Sequence, residues 1–565
     1  MERLREKNKY VKYSRVVKLI KMITKNDIQK GIQIMKFSVA AVFSDNMVLQ
    51  RNKPIAVFGE GENGIHIKAT LKYNEEGQEK YVEAESEVAD GKWLLYLPEL
   101  KENTGCTMTV TDGESTKEFT NIAIGEVWLC GGQSNMEFEI QNMTGGKEHL
   151  ENDHPNVRFY YTQKKAHMDE EFYESERNTS WQEFDSESAK CWSGVGYLYG
   201  KKLSEELGVT VGLIGCNWGG TSASAWMSEK YLGLDEDTAT YFDDYKKAVE
   251  GKTDEELVQA YKDYLVYEVE WNKKCDELYA TVPGISWDEV QERIGVCQWP
   301  GPMCSIHPYR PCGLYHTMVE RVTPYSMRGF IYYQGESDDH KPYYYYKLMN
   351  LLIKQWRDDW KDDTMPFLFV QLPGHRYIQD EDRKNWCIIR EAQERIAETV
   401  ENTGMAVIID AGEFNDIHPK NKVPVADRLY RQAMYKVYGC LDREEAESPI
   451  YDSCKIEGDK VTVSFKYAES GLVVTGDTTD IIGFELAGAD KIYHPAKAHI
   501  LDNKVIVTSE EVKEPVSVRY IWTNYPENGI NLYNRYGLPV APFRSSMDDG
   551  EAIEYEKIIH EVLEL

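Results

Sequence analysis

Apolar positions along the chain change period twice. From Lys36 to about Ile122 they alternate in short runs, Ile65 to Leu71, Trp93 to Leu97 and Thr107 to Thr111, broken by Gly91 and Asp112-Gly113. Such alternation between turn formers predicts short antiparallel strands, and hence a small β-sandwich-like unit over 35–122. From Gly125 the runs become continuous: Val127 to Cys130, Val209 to Ile214, Arg328 to Tyr333, Pro366 to Leu372 and Met405 to Asp410. Helical patterns separate them, from Ser193 as a cap to Glu206 with Gly208 beyond, from Tyr343 to Trp360, and from Cys387 to Glu401. Apolar strands alternating with helices predict a parallel sheet covered on both faces, a three-layer α/β/α core over 123–440. A stretch at about 238–296 interrupts it with helical spacing. There Thr253-Asp-Glu-Glu256 reads as a capping box, with Leu257, Tyr261, Tyr264, Leu265 and Val269 on one face. After Gly439 strand patterns return and predict a second β unit over 441–546, closed by an acidic helix over 547–565. A basic leader, 1–34, precedes everything and reads as a disordered arm or a helix.

Charge narrows the partners. A formal net charge of −30 over 565 residues argues against nucleic acid or an anionic membrane, and suits a neutral glycan or simple solubility. The 12% aromatic content supplies stacking faces. No apolar run approaches the ~20 residues of a membrane span, and the leader has no apolar core of signal-peptide type. Eleven cysteines without a compact framework read as reduced residues, which points to the cytoplasm. Oligomeric state is not legible.

Candidate chemistry begins at Glu126-Val-Trp-Leu-Cys-Gly-Gly-Gln-Ser-Asn-Met-Glu137. An apolar strand runs into a glycine pair and then Ser134 opens a helix. Ser134 is therefore either a helix cap or a nucleophile displayed at a strand-to-helix turn, beside the free N–H groups of the first helical turn. Acyl transfer also needs a base, and His418 in Asn415-Asp-Ile-His-Pro419 follows the last core strand, at the sheet edge where ligands bind in open α/β folds. A metal reading of Cys304, His307, Cys312 and His316 fits no standard zinc spacing. A glycosidase reading would pair Glu336 with Glu137 or Asp410, but nothing in the sequence fixes the separation such chemistry requires.

Four blocks then occur in order: Gly132-Gln-Ser-Asn-Met136, Asn217-Trp-Gly-Gly-Thr221, Tyr333-Gln-Gly-Glu-Ser337 and Asp416-Ile-His-Pro419. Together they resemble the SGNH hydrolases, and specifically the sialate O-acetylesterase-like carbohydrate esterases. Phe43 to Arg51 and the segments Asn531 to Asn534 and Gly537 to Arg544 resemble the two ends of that family, so the likeness spans most of 43–544. It implies a flavodoxin-like SGNH hydrolase core with a helical insertion between two β domains. It implies Ser134 as nucleophile and His418 as general base, with an oxyanion hole from the N–H groups of Ser134 and Gly219 or Gly220. Gln334 stands where other SGNH enzymes carry asparagine, as a further oxyanion donor. Many of those enzymes have aspartate three residues before the histidine, but here Asn415 holds that place and Asp416 lies two before. Asp416 is accordingly named as the group behind His418, with a Ser–His dyad helped by Asn415 or a backbone carbonyl as the alternative. Gln133, Asn135, Trp218, Glu336 and Asn415 are expected to support the site or to touch substrate. The implied function is a serine esterase that removes O-acetyl groups from a carbohydrate, either sialic acid or an acetylated hemicellulose oligosaccharide such as acetylxylan. It would proceed through an acetyl-enzyme without cofactor or metal. The alternatives are a non-catalytic carbohydrate-binding protein on the same scaffold and a sugar transacetylase.

Overall fold

The structure, a computed structural model, describes residues 36–152, 154–282 and 285–547; the basic leader and the closing acidic helix expected from the sequence lie outside them. The chain is a mixed α/β protein. Its central sheet is built from β1 (Thr116–Gly132), β2 (Val157–Tyr161), β3 (Val211–Asn217), β4 (Gly329–Tyr333), β5 (Phe367–Val370) and β6 (Thr403–Ala406). These lie in the order β2-β3-β1-β4-β5-β6 with every neighbouring pair parallel, and Gln182–Glu183 adds a short antiparallel edge to β2. All residues of β3, β4, β5 and β6 are buried, which is why these strands read as unbroken apolar runs.

β1 is longer than its sequence suggests. Only Val127 to Cys130 stands out as apolar, yet the strand runs for 17 residues. Its first part pairs antiparallel with Asn103–Thr111 in the N-terminal β region, and its second part is the centre of the parallel sheet. The first part is exposed up to Asn121 except at Phe119 and the rest is buried throughout, so one strand looks like two segments.

Numbering only those used below, the helices are α1 (Ser134–Glu137), α2 (Gly194–Leu207), α3 (Glu236–Ala248), α4 (Asp254–Thr281), α5 (Trp287–Ile294), α6 (Tyr345–Trp360), α7 (Asn385–Thr399) and α8 (Val423–Lys436). Helices cover both faces of the sheet. Cys130 faces α2, where a Cβ on Gly196 would meet its Sγ at 3.0 Å; the next residue, Gly131, faces α6, where a Cβ would meet Trp356 at 2.9 Å. Successive strand residues point to opposite faces, so α2 and α6 lie on opposite sides. α8 packs beside α2, and α7 beside α6.

The interrupting stretch forms α3, α4 and α5, and the Thr253 capping box is present with both of its hydrogen bonds. One expectation is corrected. Leu257, Tyr261 and Tyr264 are buried, but Leu265 and Val269 are 38% and 69% exposed. The buried stripe continues instead through Trp271 and Cys275, which pack on Ile285 and Val290. That spacing averages about 3.5 residues, the period of a helix laid along a partner, and positions 265 and 269 fall off it.

Beyond α8 lie two four-stranded antiparallel sheets, one of Ile450–Glu457, Lys460–Lys466, Lys497–Leu501 and Lys504–Thr508, the other of Tyr493–Pro495, Phe484–Ala487, Ser517–Tyr520 and Phe543–Arg544. Arg544 binds Glu391 of α7 through two hydrogen bonds of 2.8 and 2.9 Å and so ties this region to the core.

Candidate active site

The site grows from the register of three strands. Gly132 of β1 lies opposite Asn217 of β3 and Tyr333 of β4, so the loops that follow these strands leave the sheet at one level. β1 is also where the strand order reverses: the chain goes to β2 and β3 on one side and to β4, β5 and β6 on the other. Open α/β sheets have their crevice at that switch point. Gly132 permits the exit, with φ at +132° and a position where a Cβ would stand 2.1 Å from the Tyr333 carbonyl oxygen.

Ser134 is the first residue of α1, and Gln133 occupies the cap position without a capping bond from its side chain. The serine hydroxyl is not used as a cap. Its Oγ lies 2.8 Å from Nε2 of His418, which reaches it across 284 residues of sequence. Burial, followed by the positive charge of Lys422, holds the His418 imidazole below its ordinary pKa, while the charges of Asp416 and Glu137 act the other way. The net effect favours the neutral ring, which accepts a proton from a hydroxyl.

Donors for an oxyanion sort themselves by what they already bind. Among the described residues the N–H groups of Ser134 and Gly220 make no hydrogen bond, whereas that of Gly219 donates to Glu137 Oε2 at 2.6 Å. Gly220 has φ at +76°, and a Cβ there would press on Tyr309 Oη at 2.7 Å. Gln334 is corrected. It is buried, and its amide donates to Asp338 Oδ2 at 2.6 Å and to the Thr221 carbonyl at 3.3 Å, so neither N–H is left for an oxyanion. Asp338 also accepts from Ser222 Oγ, the Ala223 N–H and Tyr241 Oη, and this buried acceptor explains where Gln334 points.

The group behind the histidine is corrected as well. Asp416 Oδ1 accepts the backbone N–H of His418 at 2.9 Å and shapes the loop; among the described residues no carboxylate hydrogen-bonds the other ring nitrogen. Asn415, at φ +61°, turns away and accepts from the Ile378 N–H at 3.0 Å. Asp410, the other carboxylate weighed from the sequence, is bound by both terminal nitrogens of Arg428.

Asn135 is the centre of the supporting network. Its Nδ2 donates to Glu336 Oε1 at 2.7 Å and to the Ile417 carbonyl, next to His418, at 3.0 Å; its Oδ1 accepts from Lys422 Nζ at 2.6 Å. Burial raises the Glu336 carboxyl above its ordinary pKa against the Asn135 bond, and burial pushes Lys422 down to about 7 against the pull of Glu336. Gln133 fixes the third loop by accepting the Ser337 N–H at 3.2 Å.

The pair opens into a cavity of about 900 Å³ whose walls include Trp218, Gly220, Trp299 and Tyr309. A larger cavity of about 1170 Å³ lies beside the N-terminal strands, but its histidine, His316, is held between Glu229 and Glu320. The zinc-like spacing also dissolves. Cys304 packs on Leu257, Tyr261 and Tyr264, His307 binds the Pro300 carbonyl, and among the described residues no His, Cys, Asp and Glu cluster suits a metal. Trp226, close to Trp218 in sequence, is fully buried core.

Sequence reasoning passed over Lys422, Glu137 as a partner of Gly219, and the wall residue Tyr309. Only Lys422 had a local cue, standing four residues after His418 at the mouth of α8. The aromatic wall comes from distant loops and has no periodic signature.

A family described as carbohydrate esterase, sialic acid-specific acetylesterase, matches residues 124–257 and 294–422 and skips most of α4 and all but the end of α5. The mouse sialate O-acetylesterase is 24% identical over 537 residues, covering 87% of this chain and 90% of its own. The human sialate O-acetylesterase is 23% identical over 553 residues, covering 91% and 93%. A solved structure of a carbohydrate acetylesterase from Xanthomonas citri is 27% identical, covers 90% of this chain and all of its own, and superposes with a TM-score of 0.70.

Proposed function

We propose that this chain, a sialate O-acetylesterase-like carbohydrate esterase and thus a carboxylic ester hydrolase that deacetylates carbohydrate, works as a serine esterase through an acetyl-enzyme on Ser134. The contact between Ser134 Oγ and His418 Nε2 at 2.8 Å, at the switch point of a parallel sheet, carries the reading. A three-layer SGNH-type core accounts for helices on both faces of that sheet.

Neutral His418 takes the hydroxyl proton as Oγ attacks the acetyl carbonyl carbon. The carbonyl π electrons move to oxygen, and the N–H groups of Ser134 and Gly220 stabilise the charge. The imidazolium then gives its proton to the sugar oxygen as the ester bond breaks. Water, deprotonated by the same ring, attacks the acetyl-enzyme, and the imidazolium returns that proton to Ser134 Oγ as the Oγ–carbon bond breaks and acetate leaves. Asp416 and Glu137 favour the imidazolium through space, so the pair works as a dyad whose cation is stabilised without a carboxylate on its ring.

The substrate class is an acetylated sugar or oligosaccharide, with sialic acid and hemicellulose fragments as the candidates. Rates on p-nitrophenyl acetate for wild type, Ser134→Ala and His418→Ala test the chemistry. Each substitution should lower kcat/KM by about 10³-fold or more, and mass spectrometry should find acetyl on the Ser134 peptide after rapid quench. Equal rates in all three proteins would sink the proposal.

A further inference from the structure

The cavity wall carries information about charge. Among the described residues no lysine or arginine lines it, while Glu137, Asp244, Glu336 and Asp339 all do. Of the cations near the wall, Lys164 is committed to Glu137, Lys341 to Asp244 at 2.5 Å and to Thr240 at 2.9 Å, and Arg310, between the wall residues Tyr309 and Pro311, donates to the Ala166 and Pro311 carbonyls at 3.2 and 3.4 Å. Lys422 lies buried behind the reacting pair with its Nζ on Asn135. A carboxylate bound here would lose its hydration and meet no cation on the lining itself, an arrangement that costs more than placing a hydroxyl in the same spot. The net charge of −30 adds repulsion at long range.

The wall also offers a surface for an uncharged ring. Trp299 is 55% exposed although it lines the cavity, and its indole N–H is fixed by Tyr309 Oη at 3.2 Å. A glycine is needed at 220 for the pair to sit there, since a Cβ at that position would lie 3.0 Å from the Trp299 ring. An aromatic face held by that bond beside Gly220, in a cavity at the large end of small-molecule sites, suits the apolar face of a sugar.

We infer that this site takes an uncharged acetylated glycan, with one of its rings on Trp299, and disfavours sialate. The inference rests on the esterase reading above. It differs from the substrate that the family description and the mammalian relatives carry in their names.

Acetate release is compared for three substrates under initial-rate conditions: an acetylated manno- or xylo-oligosaccharide, 9-O-acetyl-N-acetylneuraminic acid, and the carboxamide of that same sialic acid. The neutral oligosaccharide should lead the sialate by at least about tenfold in kcat/KM, and the carboxamide should outrun the free acid. Asp244→Asn, which releases Lys341, should narrow the gap between carboxamide and acid. Trp299→Ala should raise KM for the oligosaccharide more than it lowers kcat. A sialate turned over as well as its carboxamide, or better than the oligosaccharide, overturns the inference. If p-nitrophenyl acetate is cleaved in a Ser134-dependent way and neither neutral glycan is, the substrate class is wrong while the esterase stands; if Ser134→Ala matches wild type, the esterase reading itself has failed.

Discussion

Lys422 helps set the protonation of His418. Because burial and Lys422 lower the His418 pKa, the ring stays neutral below its ordinary value of ~6.5. The limb of the kcat/KM profile that rises with pH should therefore have its midpoint under 6.5, and a midpoint at or above that value contradicts the assignment. Lys422→Met removes a charge that disfavours the imidazolium, so the same midpoint should move upward, toward the unperturbed value. The substitution also strips Asn135 of a 2.6 Å hydrogen bond, so a fall in maximal rate is expected alongside the shift. Ser134 and His418 were both legible in the sequence because each stands in a short block at the end of a strand. Lys422 was not, since its place four residues after His418 does not tell that it is buried while Lys420, two residues before, is exposed. Gln334 was misread for a related reason. Its direction is set by Asp338, four residues on, whose role depends on Ser222 and Tyr241 from elsewhere in the chain.

Elements with strong local punctuation match the sequence closely. α2 runs from a Ser193 cap, whose Oγ accepts the Gly196 N–H at 3.0 Å, to Gly208, and α4 starts on its capping box. Thr253→Ala should cost about 1 kcal/mol and leave the reaction intact, measured by chemical denaturation beside the esterase assay. The turn from β1 into α1 is far less forgiving. Gly132→Ala adds a Cβ 2.1 Å from a backbone oxygen at a φ that L-residues rarely adopt, so the strand end must shift and Ser134 with it. The expected outcome is near-complete loss of hydrolysis, even where circular dichroism shows a folded protein. Where the face of α4 was misassigned, the fault lay in the period: a run of apolar residues at i, i+4 and i+7 continues equally well along either of two stripes until its packing partner is known.

At the scale of the molecule, one buried carboxylate joins distant parts. Glu126 accepts from Arg51, Arg328, Gln50 and Tyr438, which belong to the N-terminal region, the start of β4 and the end of α8. Burial pushes its carboxyl up, but the Arg328 and Arg51 hydrogen bonds outweigh this and hold it below its ordinary value. A depressed carboxylate contributes stability that is present above its unfolded pKa of ~4.3 and is lost as pH falls through the lower folded value. Glu126→Ala should cost about 3 to 5 kcal/mol, because two guanidinium groups lose their partner, and should flatten the acid limb of the stability curve. The α/β alternation of the whole chain was legible because buried parallel strands have so simple a pattern. The continuity of β1 through two sheets was not, since it is a property of pairing and not of polarity. That continuity makes the nucleophile's strand a shared member: its residues 116–124 belong to one sheet and 126–132 to the other. A protein cut near residue 123 would expose a severed strand end in the middle of its own core, so neither piece should inherit function. Native-state hydrogen exchange should report the same fact from the other side, with amides on both halves of β1 opening together in one cooperative event rather than in two.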